Sequence, residues 1–174
     1  MKKLISLVLA LAMVLMVGSA LAGKLTINRD DSWDSSAESP KAIYTYYKIF
    51  DAAITDAADV NADTGELESE DGVVVYTISG TDAAEKVAVL PDLFNADLAA
   101  DGKYYITLAD STTTAAAIVA ALKTMVDANS TLFPGTDVDG SSNPVEIDLD
   151  DAYYLIVASN GKDLVVQTIG EVEI

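Results

Sequence analysis

The 174-residue sequence predicts a mainly β protein, an antiparallel, immunoglobulin-like β-sandwich with one inserted α-helix. Short runs of β-branched and aromatic residues recur along the chain, as is typical of strands. Clusters of glycine, proline, asparagine and aspartate separate these runs at short intervals, which favours hairpin connections over long crossovers. A single stretch, residues 110–128, has the periodicity of a long amphipathic helix.

The strongest predicted strand covers residues 41–52. Side chains in a strand alternate between its two faces, and here both faces are mostly apolar or aromatic. We therefore expect this strand to lie centrally in a sheet that is covered on both sides. One face carries Ile43, Thr45, Tyr47 and Ile49, and the other carries Tyr44, Tyr46, Lys48 and Phe50.

Seven further strands are predicted, at residues 23–28, 73–78, 103–108, 144–149, 152–158, 164–169 and 171–174. The strand at 152–158 is apolar on both faces, so it is also expected to be buried. Asn160-Gly161 follows it and predicts a tight type I′ turn, because both residues readily adopt the positive φ that this turn requires. The strand at 164–169 should therefore return antiparallel.

The helix at 110–128 is expected to start with Asp110 or Ser111 as its N-cap. Its apolar stripe consists of Ala115, Ile118, Val119, Leu122, Met125 and Val126.

Polar loops are predicted at 29–40, 54–71 and 129–143, and a turn at 81–85. Leu93, Phe94 and Leu98 are expected to be core residues on an irregular or one-turn helical segment. Trp33, in the first loop, either covers the core or forms an exposed contact.

Residues 1–22 have the pattern of a secretory signal peptide. Two lysines precede an apolar run at 4–17, and Ala20-Leu21-Ala22 forms an A-x-A cleavage site. A retained membrane anchor is the competing interpretation, but the run is shorter than the ~20 residues that a span needs. We therefore expect a secreted domain of residues 23–174, with no membrane insertion after cleavage.

Composition limits the classes of function. The chain has 28 acidic and 10 basic residues, a net charge of −18, which disfavours nucleic acid or anionic lipid as partners. It contains no cysteine and no histidine, so it has neither disulfides nor the usual general base. We therefore predict that it is not an enzyme. A hydrolase built on carboxylates alone is a weaker alternative.

Several motifs bear a family resemblance. Residues 46–52 read Y-Y-K-I-F-D-A, and residues 152–161 read A-Y-Y-L-I-V-A-S-N-G. Between them lie a V-x-Y-T-I-like strand at 73–78 and a serine-led, alanine-rich helix at 111–121. In this order the segments resemble the N-terminal domain of sortase-assembled pilin subunits of Gram-positive bacteria. Ala152 stands where that family has a glycine.

The resemblance implies a pilin-type β-sandwich that serves as a structural subunit of a pilus or fimbria shaft, or of a related protein of the cell wall. Its partners would be neighbouring pilin subunits and sortase. The chain has neither the family's Y-P-K-N lysine motif nor an L-P-x-T-G signal. The sequence is therefore either a fragment of a longer pilin or a solitary domain. The alternative function is a surface adhesin or binding module for host glycan or matrix protein, for which calcium is a candidate cofactor.

The resemblance also implies an internal Lys–Asn isopeptide bond, for which Lys24, Lys48 and Asn160 are the candidates. This bond requires a neutral lysine amine, produced by burial, and a neighbouring carboxylic acid. Two structural alternatives stand beside it. Lys48 could extend its amine to solvent at a sheet edge, and Asn160 could serve only in the turn.

A calcium site is the other candidate. Asp59, Asn61, Asp63 and Glu70 occupy the first, third, fifth and twelfth positions of an EF-hand-like loop. However, glycine stands at the seventh position rather than the sixth, and no helical pattern flanks the loop. A solvated acidic loop is the alternative. A looser acidic cluster with the same alternative consists of Asp137, Asp139, Asp148, Asp150 and Asp151.

Overall fold

The computed structural model describes residues 24–28, 42–55, 73–159, 163–168 and 172–173. These residues form ten strands and two helices. The strands are β1 (Lys24–Ile27), β2 (Ile43–Thr55), β3 (Val73–Ile78), β4 (Phe94–Leu98), β5 (Tyr104–Leu108), β6 (Thr136–Asp139), β7 (Val145–Asp148), β8 (Ala152–Ala158), β9 (Leu164–Gln167) and β10 (Val172–Glu173). The helices are α1 (Ala83–Ala88) and α2 (Ala115–Ala128).

Seven of the strands form one antiparallel sheet in the order β4-β5-β3-β2-β8-β9, with β6 paired to β2 beside β3. Strand β2 pairs with β8 on one side along most of its length. On its other side it pairs with β6 in its first half and with β3 in its second half. The predicted central position of β2 is therefore confirmed, as is the antiparallel return of β9 along β8.

The remaining strands form a small sheet in the order β10-β1-β7. Strands β1 and β7 are antiparallel, whereas β1 and β10 are parallel. This sheet packs against one face of the large sheet, and α1 and α2 cover the opposite face. The protein is thus mainly β, a sandwich of largely antiparallel sheets with a helical layer, which confirms the predicted fold class; the described residues form two helices where one was predicted.

Each face of the large sheet has its own hydrophobic core. The helix-side core lies beneath the helices and includes Ile49, Phe50, Tyr76, Ile78, Ile106, Ile118, Leu122, Met125, Val126, Phe133, Tyr153 and Leu155. The inter-sheet core lies between the sheets and includes Leu25, Ile27, Val145, Ile147, Tyr154, Ile156 and Val166. Strand β8 supplies alternate side chains to both cores, so its predicted burial on two faces is confirmed.

A β-bulge in β2 changes which face its side chains occupy. Lys48 pairs with Tyr154 and Phe50 pairs with Tyr153, so Ile49 is the extra residue. A bulge of one residue moves everything after it to the other face. Phe50 therefore lies with Ile49 in the helix-side core. The simple alternation that placed these two residues on opposite faces was wrong at this point.

Four local predictions were also wrong. Phe94 and Leu98 are the first and last residues of a strand, β4, rather than part of an irregular or helical segment, and Leu98 is exposed rather than in the core. The predicted turn at 81–85 overlaps α1. The predicted loop at 129–143 contains β6, which has a partner in β2. Helix α2 starts later than predicted, because Thr114 accepts the hydrogen bond from the amide of Ala117 and is the N-cap.

Candidate functional site

Lys48 is held at the surface by carboxylates. Its Nζ lies 2.9 Å from Oδ1 of Asp51 and 3.9 Å from Oδ2 of Asp150, and 42 % of its side chain is exposed. Residues three apart in a regular strand point to opposite faces. The bulge at Ile49 removes that difference, so Lys48 and Asp51 share a face. The bulge therefore creates the ion pair.

These contacts favour the ammonium form of Lys48. Partial burial lowers the pKa of its amine, but the hydrogen bond and the negative charge of Asp51 outweigh burial, and the net pKa is raised. An isopeptide bond would require the opposite change, because only the neutral amine attacks an amide. An isopeptide bond at Lys48 therefore remains a prediction, and the surroundings of Lys48 do not favour its formation.

The two other isopeptide candidates lie elsewhere. Lys24 is on β1 in the small sheet, where its Nζ contacts Oε1 of Glu146 on β7 at 2.7 Å. This ion pair joins the two neighbouring strands at the surface, with roughly half of each side chain exposed. Asn160 lies outside the described residues, between β8 and β9. A bond between either lysine and Asn160 therefore also remains a prediction.

The predicted calcium ligands Asp59, Asn61, Asp63 and Glu70 lie outside the described residues, between β2 and β3. The looser acidic cluster is described, and two of its members accept hydrogen bonds from neighbouring groups. Asp137 accepts a hydrogen bond from the hydroxyl of Thr45 at 2.7 Å, and Asp139 accepts one from the amide of Ser141 at 2.8 Å. In the described parts of the chain, no three acidic side chains are grouped closely enough to hold a metal ion.

The two segments that carry the family resemblance meet at the centre of the large sheet. They are about a hundred residues apart in sequence, yet they form the adjacent strands β2 and β8. The ring of Phe50 stacks on that of Tyr153 at 5.7 Å, and Tyr46 meets Tyr154 edge-on at 6.0 Å. Such aromatic pairs stabilise neighbouring strands beyond the area that they bury. The motif residues therefore have a packing role.

Tyr76 extends this aromatic cluster. Tyr76 of β3 lies edge-on to Tyr153 at 5.5 Å, and its hydroxyl donates a hydrogen bond to the side chain of Gln167. Burial raises the pKa of both Tyr76 and Tyr153 well above the usual value for a phenol. The phenols are therefore neutral at physiological pH and act as packing groups.

One feature that sequence reasoning missed is a groove beside the edge of the large sheet. It has a volume of about 580 Å³ and lies between the end of α1 and β4, where Val87, Leu90, Phe94 and Ala96 line it. The sequence contains a signal for β4, because apolar and polar residues alternate in F-N-A-D-L at 94–98. That run is short, so the pattern by itself does not distinguish a strand from an irregular or one-turn helical segment.

Comparison of the chain with protein-family models, curated proteins and solved structures found no match. Neither described helix is long and apolar enough to cross a membrane.

Proposed function

We propose that this chain is the N-terminal domain of a sortase-assembled pilin, a secreted, non-enzymatic subunit of a pilus or fimbria shaft or of a related cell-wall protein. The observation that carries the proposal is the pairing of the two motif segments. Y-Y-K-I-F-D-A and A-Y-Y-L-I-V-A lie side by side as β2 and β8, joined by backbone hydrogen bonds and ring contacts.

This pairing supports a structural role because the motif residues are used for packing. Phe50 and Tyr153 are almost completely buried, with 2 % of each residue exposed. Aromatic residues kept for binding or catalysis would present part of their rings to a partner or a cleft. Here the rings hold the central strands of the large sheet together, as suits a subunit whose task is to be a stable building block.

Immunoblots of cell-wall extracts from the source bacterium would test the proposal, with antibody raised against the domain. A sortase-assembled pilin is joined covalently to its neighbours, so we expect a ladder of high-mass species that survives boiling in detergent. Deletion of the sortase gene should collapse the ladder to a single band. A single band in wild-type cells would contradict the proposal.

Calcium binding by the loop between β2 and β3 would instead favour the alternative, a calcium-dependent adhesin. The candidate ligands for that function, and Trp33, lie outside the described residues. The pilin proposal therefore rests on the described strands, and the adhesin remains a prediction from the sequence.

A further inference from the structure

Strand β4 forms one edge of the large sheet and pairs only with β5 in the described part of the chain. The hydrogen bonds at its ends show which backbone groups point outward. The amide of Ala109 donates to the carbonyl of Leu93 at 2.8 Å, and the amide of Ala99 donates to the carbonyl of Lys103 at 2.9 Å. Ladder bonds in an antiparallel pair recur at every second residue. The N–H and C=O groups of Ala96 and Leu98 therefore point away from β5.

These outward groups lie next to a row of apolar side chains on the helix side of the sheet, beside a groove whose accessible surface is mainly polar. Phe94 and Ala96 face the helix side of the sheet, where they border the groove together with Val87 and Leu90. Leu98 continues the same row and is 63 % exposed. An open sheet edge beside a groove can accept another strand, whose backbone bonds the edge while alternate side chains enter the groove.

The charge around this edge identifies the kind of strand that would fit. Asp97 on β4 and Asp92, two residues before the strand, are both exposed, and the whole chain carries a net charge of −18. A second copy of this chain would bring acidic side chains against acidic ones, which opposes edge-to-edge pairing. A cationic segment would instead be attracted to the edge.

We propose that the edge of β4 and its groove bind an extended, cationic peptide segment of a partner protein as an added β-strand. Residues directly opposite each other in a sheet point to the same face. The segment would therefore have apolar side chains opposite Ala96 and Leu98, and lysine or arginine at the alternate positions near Asp97. The five-residue peptide K-V-K-V-K has this alternating pattern and serves as the probe.

The test is a titration of the 15N-labelled protein with K-V-K-V-K, in which NMR measures the amide chemical shifts at each peptide concentration. We expect shifts centred on Ala96, Leu98 and the groove residues, and slower hydrogen exchange of the Ala96 amide on binding. Binding should weaken with added salt. The control peptides are E-V-E-V-E, which reverses the charge, and K-K-V-V-K, which keeps the composition but loses the alternation. Both should bind at least about tenfold more weakly, because each lacks one of the two features that the site recognises.

Two N-methylated peptides test the backbone contacts without changing the protein. An added antiparallel strand bonds Ala96 through the amide of the valine opposite it. Methylation of the valine amides should therefore abolish binding, whereas methylation of the central lysine amide, which faces solvent, should leave it. Loss of binding with both peptides, or with neither, would overturn the proposal.

Protein variants complete the test. The substitution Ala96→Pro removes an outward N–H that β5 does not use, and proline is tolerated at such edge positions. This substitution should weaken peptide binding about tenfold or more, since it removes one backbone hydrogen bond to the peptide and misaligns the next one. Asp97→Asn should also weaken binding, while the matched control Asp127→Asn, on the exposed side of α2, should not. Absence of binding at millimolar peptide, shifts away from β4, or equal binding by Ala96→Pro would each overturn the proposal.

Discussion

Close packing at single residues accounts for the first prediction. Gly135 lies where β6 meets β2, and a Cβ at this position would be 2.7 Å from Cγ2 of Thr45 and 2.7 Å from the ring of Tyr47. Replacing glycine by alanine stabilises a chain by about 0.4–1 kcal/mol where alanine fits. Overpacking costs about 1–3 kcal/mol and should prevail here, so Gly135→Ala should lower the free energy of unfolding.

Urea denaturation measures this change. The double variant Thr45→Ser, Tyr47→Ala serves as the control background, because it removes the Thr45 methyl group and the Tyr47 ring that the new methyl group would meet. The cost of Gly135→Ala should shrink or change sign in that background. An equal cost in both backgrounds would mean that overlap with these side chains is not the cause.

Burial of phenols predicts how stability depends on pH. The pKa of Tyr153 is raised in the folded state by burial, so the folded protein resists losing this proton. The unfolded chain loses it near the ordinary phenol pKa of about 10. Stability from this group is therefore present below about pH 10 and is lost as pH rises above that value. Tyr153→Phe should reduce the slope with which the free energy of unfolding falls between pH 9 and pH 11, roughly the range around that pKa. An unchanged slope would show that Tyr153 does not contribute.

At the scale of elements, the start of α2 carries a prediction. Thr114 is the N-cap, and its side chain accepts the amide hydrogen bond of Ala117 at 3.3 Å. Loss of such a cap costs about 1 kcal/mol, so Thr114→Ala should destabilise the protein by that amount. Ser111→Ala is the matched control, since Ser111 is exposed and precedes the helix. Thermal melting of both variants measures the difference, and equal melting temperatures would contradict the assignment of the cap.

The acidic segment between β2 and β3 carries the next prediction. Its glycine, Gly65, stands one position later than an EF-hand loop requires. We therefore expect calcium to raise the melting temperature no more than magnesium does at the same ionic strength. A calcium-specific increase that Asp63→Asn abolishes would establish a site here and would favour the adhesin.

At the scale of the whole molecule, the two sheets should differ in local stability. Strands β2 and β8 lie inside the large sheet and contribute to both cores, whereas β1 and β7 have four residues each in the small sheet. Regions with fewer buried contacts open at lower free energy. Native-state hydrogen exchange should therefore show the slowest amides in β2 and β8, and faster exchange in β1 and β7. Equal protection in both sheets would mean that the molecule opens only as one unit.

Side-chain alternation and turn residues were enough to locate most strands, to place β2 centrally and to identify the mainly β class. These properties depend on neighbours within a few residues, which the sequence displays directly. The buried stripe of α2 followed in the same way, since Ile118, Leu122, Met125 and Val126 recur at helical spacing and are all buried. The antiparallel pairing of β8 with β9 could also be predicted, because only a short connection separates the two strands in the sequence.

Contacts between distant segments decided the rest. The bulge at Ile49 depends on how β2 aligns with β8, about a hundred residues later, and it alone brings Phe50 into the helix-side core and Lys48 beside Asp51. Strands β4 and β6 have weak local patterns, and their pairing with β5 and β2 identifies them as strands. The groove and the outward groups of Ala96 and Leu98 exist only once the sheet has an edge. Each of these features is set by the register and order of strands, which are fixed by packing across the whole molecule rather than by the local pattern of residues.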